Sequence, residues 1–206
     1  WVSALIANRS SDAPSMRLYR MGGMSAARPA VLPPSSSVNS PQMPQLIASR
    51  ANPRVKQLRA AFAGSARGNL NARLSGGLIA IEGEHLLQEA IRSGLAFKTI
   101  FLSASRPTPK WVPSSVELLE LTDEVFASVV DTQSPQGIAA LLVPPTWSIE
   151  DAFKTTTTPL LLIAAGLQDP GNLGTLIRSA EAFAATAVLT TPNTVSEWNQ
   201  KAIRAS

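Results

Sequence analysis

The sequence contains no cysteine, which excludes a disulfide framework and any thiolate-held metal. A single histidine, His85, argues against a multi-histidine zinc site and against a Ser-His-Asp triad, so no metal is expected. No apolar run approaches the roughly 18–20 residues that a membrane helix needs, and no membrane partner is expected. Aromatics make up only 5% of the chain, which leaves Ala and Leu to carry the packing. Acidic residues are missing from a long stretch: between Asp12 and Glu82 there is none, while nine basic residues fall there, namely Arg17, Arg20, Arg28, Arg50, Arg54, Lys56, Arg59, Arg67 and Arg73.

What is present is a chain of 206 residues, 45% hydrophobic, enough for one large domain or two small ones. From residue 82 onward the balance reverses, with eight basic and thirteen acidic residues. That asymmetry points to an anionic partner met by the N-terminal part; RNA, DNA or an anionic membrane surface would each satisfy it.

Residues 1–45 include "ARPAVLPPSSSVNSPQMP", rich in Pro and Ser and without a sustained period, which predicts a disordered leader. Being Arg- and Ser-rich and poor in acid, it reads either as an organellar transit peptide or as sequence upstream of a start at Met24 or Met43. Order is expected from "SRANPRVKQLRAAFAG". There Asn52 caps a helix, Pro53 takes its first position, Val55, Leu58 and Phe62 mark one face, and Gly64 ends it. Arg54, Lys56 and Arg59 lie off that face. "GSARGNLNARLSGG" then predicts a flexible loop.

Strand and helix patterns alternate after that. "LIAIEG" (78–83), "FKTIFLS", "VELLEL" and "GIAALLV" (137–143) read as strands. "EHLLQEAIRS" and a Thr122-capped "DEVFASVV" read as helices. The pattern is an α/β layer, followed by a linker with a short helix in "PPTWSIEDAFKTTTTP". A second α/β unit opens at "LLLIAAG" (160–166), apolar throughout and expected to be a central strand. A helix and the strand "TAVLTTP" (186–192) follow.

The richest stretch joins those two strands: "QDPGNLGTLIRSAEAFAA", 168–185. Leu173, Leu176, Ile177, Ala180, Phe183 and Ala184 form a core-facing helical stripe, and Asn172 is placed as its N-cap. Gly174, Arg178 and Glu181 share a position off that stripe. Helical side chains lean toward the N-terminus, so Arg178 is expected over Gly174, whose missing side chain leaves room, with its guanidinium near Asn172. A cation at the positive end of a helix dipole calls for an anion such as phosphate; an Arg178–Glu181 ion pair is the internal alternative. Gly166 and Gly171 have Walker A spacing, but Asn172 stands where the Lys would be, and the dinucleotide fingerprint is incomplete.

"DPGNLGTLIRSAEAF" after an apolar strand resembles the first signature motif of SpoU/TrmH-type RNA ribose methyltransferases, of the knotted α/β SPOUT class. Upstream, "SRANPRVKQLR", "IAIEGEHLLQEAI" and "DTQSPQGIAALL" resemble that family's substrate-binding domain. Downstream, "NQKAIRAS" resembles the segment that follows its second strand.

The resemblance implies an α/β chain with four parts: a leader (1–45), an RNA substrate-binding domain with a basic first helix (46–145), a linker (146–158), and the first part of a SPOUT-type methyltransferase domain (159–206) with the knot region missing. It implies methyl transfer from S-adenosylmethionine to a ribose 2′-hydroxyl of rRNA or tRNA, in the cytoplasm, by a complete protein that dimerises. Arg178 and Asn172 are then the catalytic positions. Arg178 engages the target phosphate and helps activate the hydroxyl, and Asn172 holds the loop. Gly174 supports them, and Glu181 does so on spacing alone. Arg50, Arg54, Lys56, Arg59, Lys201 and Arg204 are the expected RNA contacts. The cofactor-binding motifs of the family lie beyond Ser206, so this chain by itself is expected to be an inactive fragment; the alternative is a non-catalytic RNA-binding module. His85 is expected to be a surface residue, Gln136 and Gly137 to shape a turn, and Trp111, Trp147 and Trp198 to have no stacking role.

Overall fold

The computed structural model describes residues 17–20, 46–67, 77–130, 132, 134–145, 148–154 and 158–206. In chain order the elements are β1 (Arg17–Arg20), β2 (Leu46–Ile47), α1 (Pro53–Arg67), β3 (Ile79–Glu82), α2 (Glu84–Arg92), β4 (Ala96–Ser103), β5 (Glu117–Leu121), α3 (Asp123–Ala127) and β6 (Ile138–Val143). A 3-10 turn (Ile149–Phe153), β7 (Leu161–Ala164), α4 (Pro170–Ala182), β8 (Ala187–Thr190) and α5 (Gln200–Ala205) complete the set.

Two sheets result. The larger has the order β2-β5-β4-β6-β3, parallel between β2, β5 and β4 and antiparallel between β4, β6 and β3. Its strands are nearly continuous apolar runs because both faces are covered, and alternate residues face opposite ways. Ala80, Phe101, Ala139 and Leu141 pack on one face against Val55, Leu58 and Phe62 of α1 and Val125 and Phe126 of α3. Ile81, Ile100, Leu102, Ile138 and Ala140 pack on the other face with Leu87 and Ala90 of α2. That second core runs on into the C-terminal unit through Ala180, Ala185, Val188 and Trp198. The methylase-like segment and the basic helix α1 therefore lie on opposite faces of the larger sheet.

The smaller sheet has the order β1-β8-β7, with β7 and β8 parallel around α4 and β1 antiparallel to β8. Three expectations change here. Residues 17–20 form a strand on the edge of β8, within the stretch read as disordered. β7 is an edge strand and not a central one, with Ile163 58% exposed. The apolar stripe of α4 stops short: the helix ends at Ala182, so Phe183 is 79% exposed and Ala184 is exposed with a left-handed φ of 55°.

The first helix behaves as expected at its start, where Asn52 Oδ1 accepts from the Arg54 amide at 2.8 Å. Its end differs: α1 runs through Gly64 to Arg67, since glycine weakens a helix by only about 1 kcal/mol and the Gly64 φ is not positive. Thr122 caps α3 as read, accepting from the Val125 amide. Trp147 and residues 68–76 lie outside the described residues.

Candidate functional site

The sequence opens α4 one turn earlier than its apolar stripe suggests. Asp169 is the N-cap, Pro170 occupies the first turn, and the Asp169 carboxylate accepts from the Asn172 amide at 2.7 Å. Pro pre-sets the first helical φ and Asp is a strong cap, so Asp-Pro outcompetes Asn172 for the start. Asn172 instead sits inside the first turn with its side chain exposed. The Asp169 carboxyl is held below its ordinary value of 3.8, first by the Asn172 amide and then by Lys201, whose Nζ lies 3.2 Å away.

Gly174 is buried, but not to make room for Arg178. A Cβ placed there would come 2.3 Å from the Ala202 carbonyl oxygen and 2.8 Å from the Ala205 Cβ. One turn back, a Cβ on Gly171 would meet the Lys201 side chain at 3.3 Å. The two glycines are the seat of α5, which runs alongside α4. Asn199 caps α5 by accepting from the Lys201 amide at 2.9 Å.

Arg178 completes that line. Its Nη1 donates to the Ala205 carbonyl at 2.9 Å. It therefore avoids the positive N-terminus of its own helix and turns to the negative C-terminal end of the neighbouring one, where a cation is favourable. The side chain is otherwise exposed, and a guanidinium has five donors. Glu181 is exposed, and among the described residues it makes no ion pair with Arg178. Arg178 and Asn172 are thus presented on one exposed helix, but not gathered around Gly174 as read.

The expected RNA contacts divide. Arg50 and Lys56 are exposed. Arg54 pairs with Glu117 at 2.8 Å, and Arg59 reaches the Ser128 hydroxyl at 3.5 Å. On α5, Lys201 pairs with Asp169 and Arg204 with Glu82 at 3.2 Å. His85 is exposed as expected, Gly137 has the positive φ of a turn (72°), and Trp198 is buried. Trp111 donates to Glu84 at 2.7 Å.

Sequence reasoning missed Asp169, Glu82 and Gln200. Asp169 was legible from the Asp-Pro pair. The other two act at long range: Gln200 Nε2 donates to the Ala80 carbonyl at 2.8 Å, and Glu82 receives Arg204. No local pattern encodes such partners.

S-adenosylmethionine would need a cradle of free backbone donors and acceptors around its nucleoside. The loops after β7 and β8 bind each other instead. The Gly166 amide donates to Thr191 Oγ1 at 3.0 Å, the Val195 amide to the Leu167 carbonyl at 2.8 Å, and Thr194 Oγ1 to the Ala164 carbonyl at 3.2 Å. The Gln168 side chain closes the same contact on the Asn193 carbonyl. The described residues do not by themselves fit that cofactor.

Comparison with known proteins gives the same two units. Residues 52–140 match the MRM3-like substrate binding domain, and residues 159–206 match the SpoU rRNA methylase family. The 23S rRNA (guanosine(2553)-2′-O)-methyltransferase RlmP of Bacillus subtilis is 36% identical over 126 residues, covering 61% of this chain and 48% of that protein. The mitochondrial rRNA methyltransferase 3 of Homo sapiens is 34% identical, covering 63% of this chain and 32% of that one. The chain therefore spans about half of the first relative and a third of the second. Among solved structures, an RNA 2′-O ribose methyltransferase superposes with a TM-score of 0.60 at 29% identity, covering 78% of this chain and 60% of that one. The SpoU methyltransferase AviRb of Streptomyces viridochromogenes, in complex with AdoMet, shares the fold with a TM-score of 0.63 at 20% identity, covering 75% and 58%. Residues 52–140 thus carry the likeness to an MRM3-like substrate binding domain, and residues 159–206, behind them, the likeness to the SpoU rRNA methylase family.

Proposed function

We propose that this chain is the RNA-recognition part and the first catalytic segment of an enzyme that methylates a ribose 2′-hydroxyl of RNA, with S-adenosylmethionine as the methyl donor of the complete protein. The names of the relatives favour rRNA over tRNA. One observation carries the reading: a methylase segment presents an exposed Arg178, fixed at one nitrogen by the Ala205 carbonyl, and shares a core with a substrate-binding domain.

Arg178 is not a general base, because a guanidinium keeps its proton in proteins. Its role is to hold the target phosphate, orient the adjacent hydroxyl and stabilise the negative charge that develops on that oxygen. The bond to Ala205 leaves the guanidinium aimed but not consumed. Asn172 extends the same exposed surface. S-adenosylmethionine would supply the electrophilic methyl group. The complete protein works as a homodimer.

The second reading is a non-catalytic RNA-binding module, favoured by the mutual closure of the loops after β7 and β8. Calorimetry separates the two on the complete protein. Heat released on adding S-adenosylmethionine supports the enzyme. Salt-dependent RNA binding with no response to the methyl donor supports the module and sinks the enzyme.

A further inference from the structure

A carboxylate is buried where the two units meet. Glu82, at the end of β3, is 3% exposed. Its Oε1 accepts from the Gln136 amide at 3.0 Å and from Thr132 Oγ1 at 3.1 Å. Its Oε2 accepts from the same hydroxyl at 2.9 Å and from Arg204 Nη2 at 3.2 Å. Thr132 and Gln136 belong to the loop entering β6, and Arg204 belongs to α5. One buried charge thus ties a loop of the substrate-binding domain to the last helix of the methylase segment.

The amide and the hydroxyl do not require an acid at this position, since a neutral glutamine could accept from both. A charge removed from water needs a charged partner, so Arg204 is the contact that calls for Glu82. Arg204 itself is 45% exposed along its side chain. With His85, Gln136 and Ile203 it lines an open cleft of about 410 Å³ between the two units. Apart from the bond that it donates to Glu82, the guanidinium makes no hydrogen bond among the described residues. His85 and the Gln136 side chain add polar groups to the same rim.

We infer that Glu82 is a positioning residue: it holds Arg204 over this cleft so that the guanidinium binds a backbone phosphate of the RNA. The inference rests on the RNA-binding reading above. The arrangement also links recognition to the candidate catalytic residue. Arg204 is followed by Ala205, whose carbonyl fixes Arg178, so a phosphate seated at the cleft bears on the helix that orients Arg178.

Positioning and mere neutralisation of Arg204 make opposite predictions for Glu82→Gln. The change raises the net charge by one, so if Glu82 only neutralises Arg204, RNA binds more tightly and with a steeper salt dependence. If Glu82 positions Arg204, binding weakens by about three- to tenfold despite the added charge. The slope of log affinity against log salt then falls by about 0.7–0.9, one phosphate contact.

The experiment titrates the 206-residue chain with a fluorescent hairpin of 23S rRNA over a range of salt, for wild type, Glu82→Gln, Arg204→Gln and the double variant. Weaker binding by Glu82→Gln with no further loss in the Arg204→Gln background is the result expected. Unchanged or tighter binding by Glu82→Gln overturns the inference. Should Glu82→Gln fail to fold, Glu82→Asp replaces it, keeping the charge but drawing it back from Arg204. Weaker binding then supports the inference, and unchanged binding overturns it. A wild-type chain that does not bind RNA fails at an earlier point, sinking the RNA reading itself and this inference with it.

Discussion

At the scale of single residues, the molecule turns on how three positions along α4 meet α5. Gly171, Gly174 and Arg178 share one line of the helix. The first two are small because α5 lies against them, and the third closes the end of α5 through the Ala205 carbonyl. Gly174→Ala tests this directly. The added methyl meets backbone, the Ala202 carbonyl oxygen at 2.3 Å, which cannot swing aside as a side chain could. Overpacking of this kind costs about 1–3 kcal/mol, and urea unfolding should show a loss in that range, with faster amide exchange at residues 200–206.

Asp169 supplies a pH dependence at the same scale. Its carboxyl is held below the ordinary value of 3.8 by the Asn172 amide and by Lys201. The folded pKa is thus the lower one, so its contribution is full above the unfolded value and fades as pH falls through the folded one. Melting temperature should decline more steeply below pH 4 in the wild type than in Asp169→Ala, which has nothing left there to lose. Identical acid limbs for the two proteins would remove Asp169 from the account.

Among elements, α4 shows both what the sequence makes legible and where it stops. Its existence, its apolar stripe at Leu173, Leu176, Ile177 and Ala180, and its place between two parallel strands all follow from spacing. Its ends do not. The stripe continues through Phe183 and Ala184, yet the backbone turns at Ala184 with a left-handed φ, and the Ala185 amide closes on the Ala180 carbonyl at 2.8 Å. Glycine normally takes that position and would have announced the end; alanine concealed it.

The same geometry makes Ala184→Gly a stabilising change. Removing the Cβ relieves a left-handed cost of about 1–2 kcal/mol, offset in part by the greater freedom of glycine in the unfolded chain. A net gain of about 0.5–1 kcal/mol in chemical unfolding is expected. A loss would mean that the helix does not end as described. The direction of Arg178 was hidden for a related reason: its partner belongs to another helix 27 residues later, and spacing within α4 cannot report it.

For the whole molecule, the decisive fact is that the second core crosses from the five-stranded sheet into the β7-α4-β8 unit. Strand alternation made the two-faced sheet readable, because Ile79, Ile81, Ile100 and Leu102 fall on one side and Ala80 and Phe101 on the other. It did not reveal which face the methylase segment would choose. That choice sets the basic helix α1 on the far face and brings Arg204, Lys201 and Arg178 to the side where the two units meet. RNA that reaches both α1 and Arg178 must therefore pass around an edge of the sheet.

The central claim is that Arg178 acts on RNA in a methyl-transfer site and is not only the cap of a neighbouring helix. The most direct measurement is transfer of labelled methyl from S-adenosylmethionine to rRNA ribose by the complete protein, wild type against Arg178→Ala, with thermal unfolding of both measured alongside. Loss of one positioned donor to a developing oxyanion lowers turnover by about 10²–10³-fold, and that fall is predicted with the variant still folded at the assay temperature. Unchanged methyl transfer by a folded Arg178→Ala protein would contradict the account.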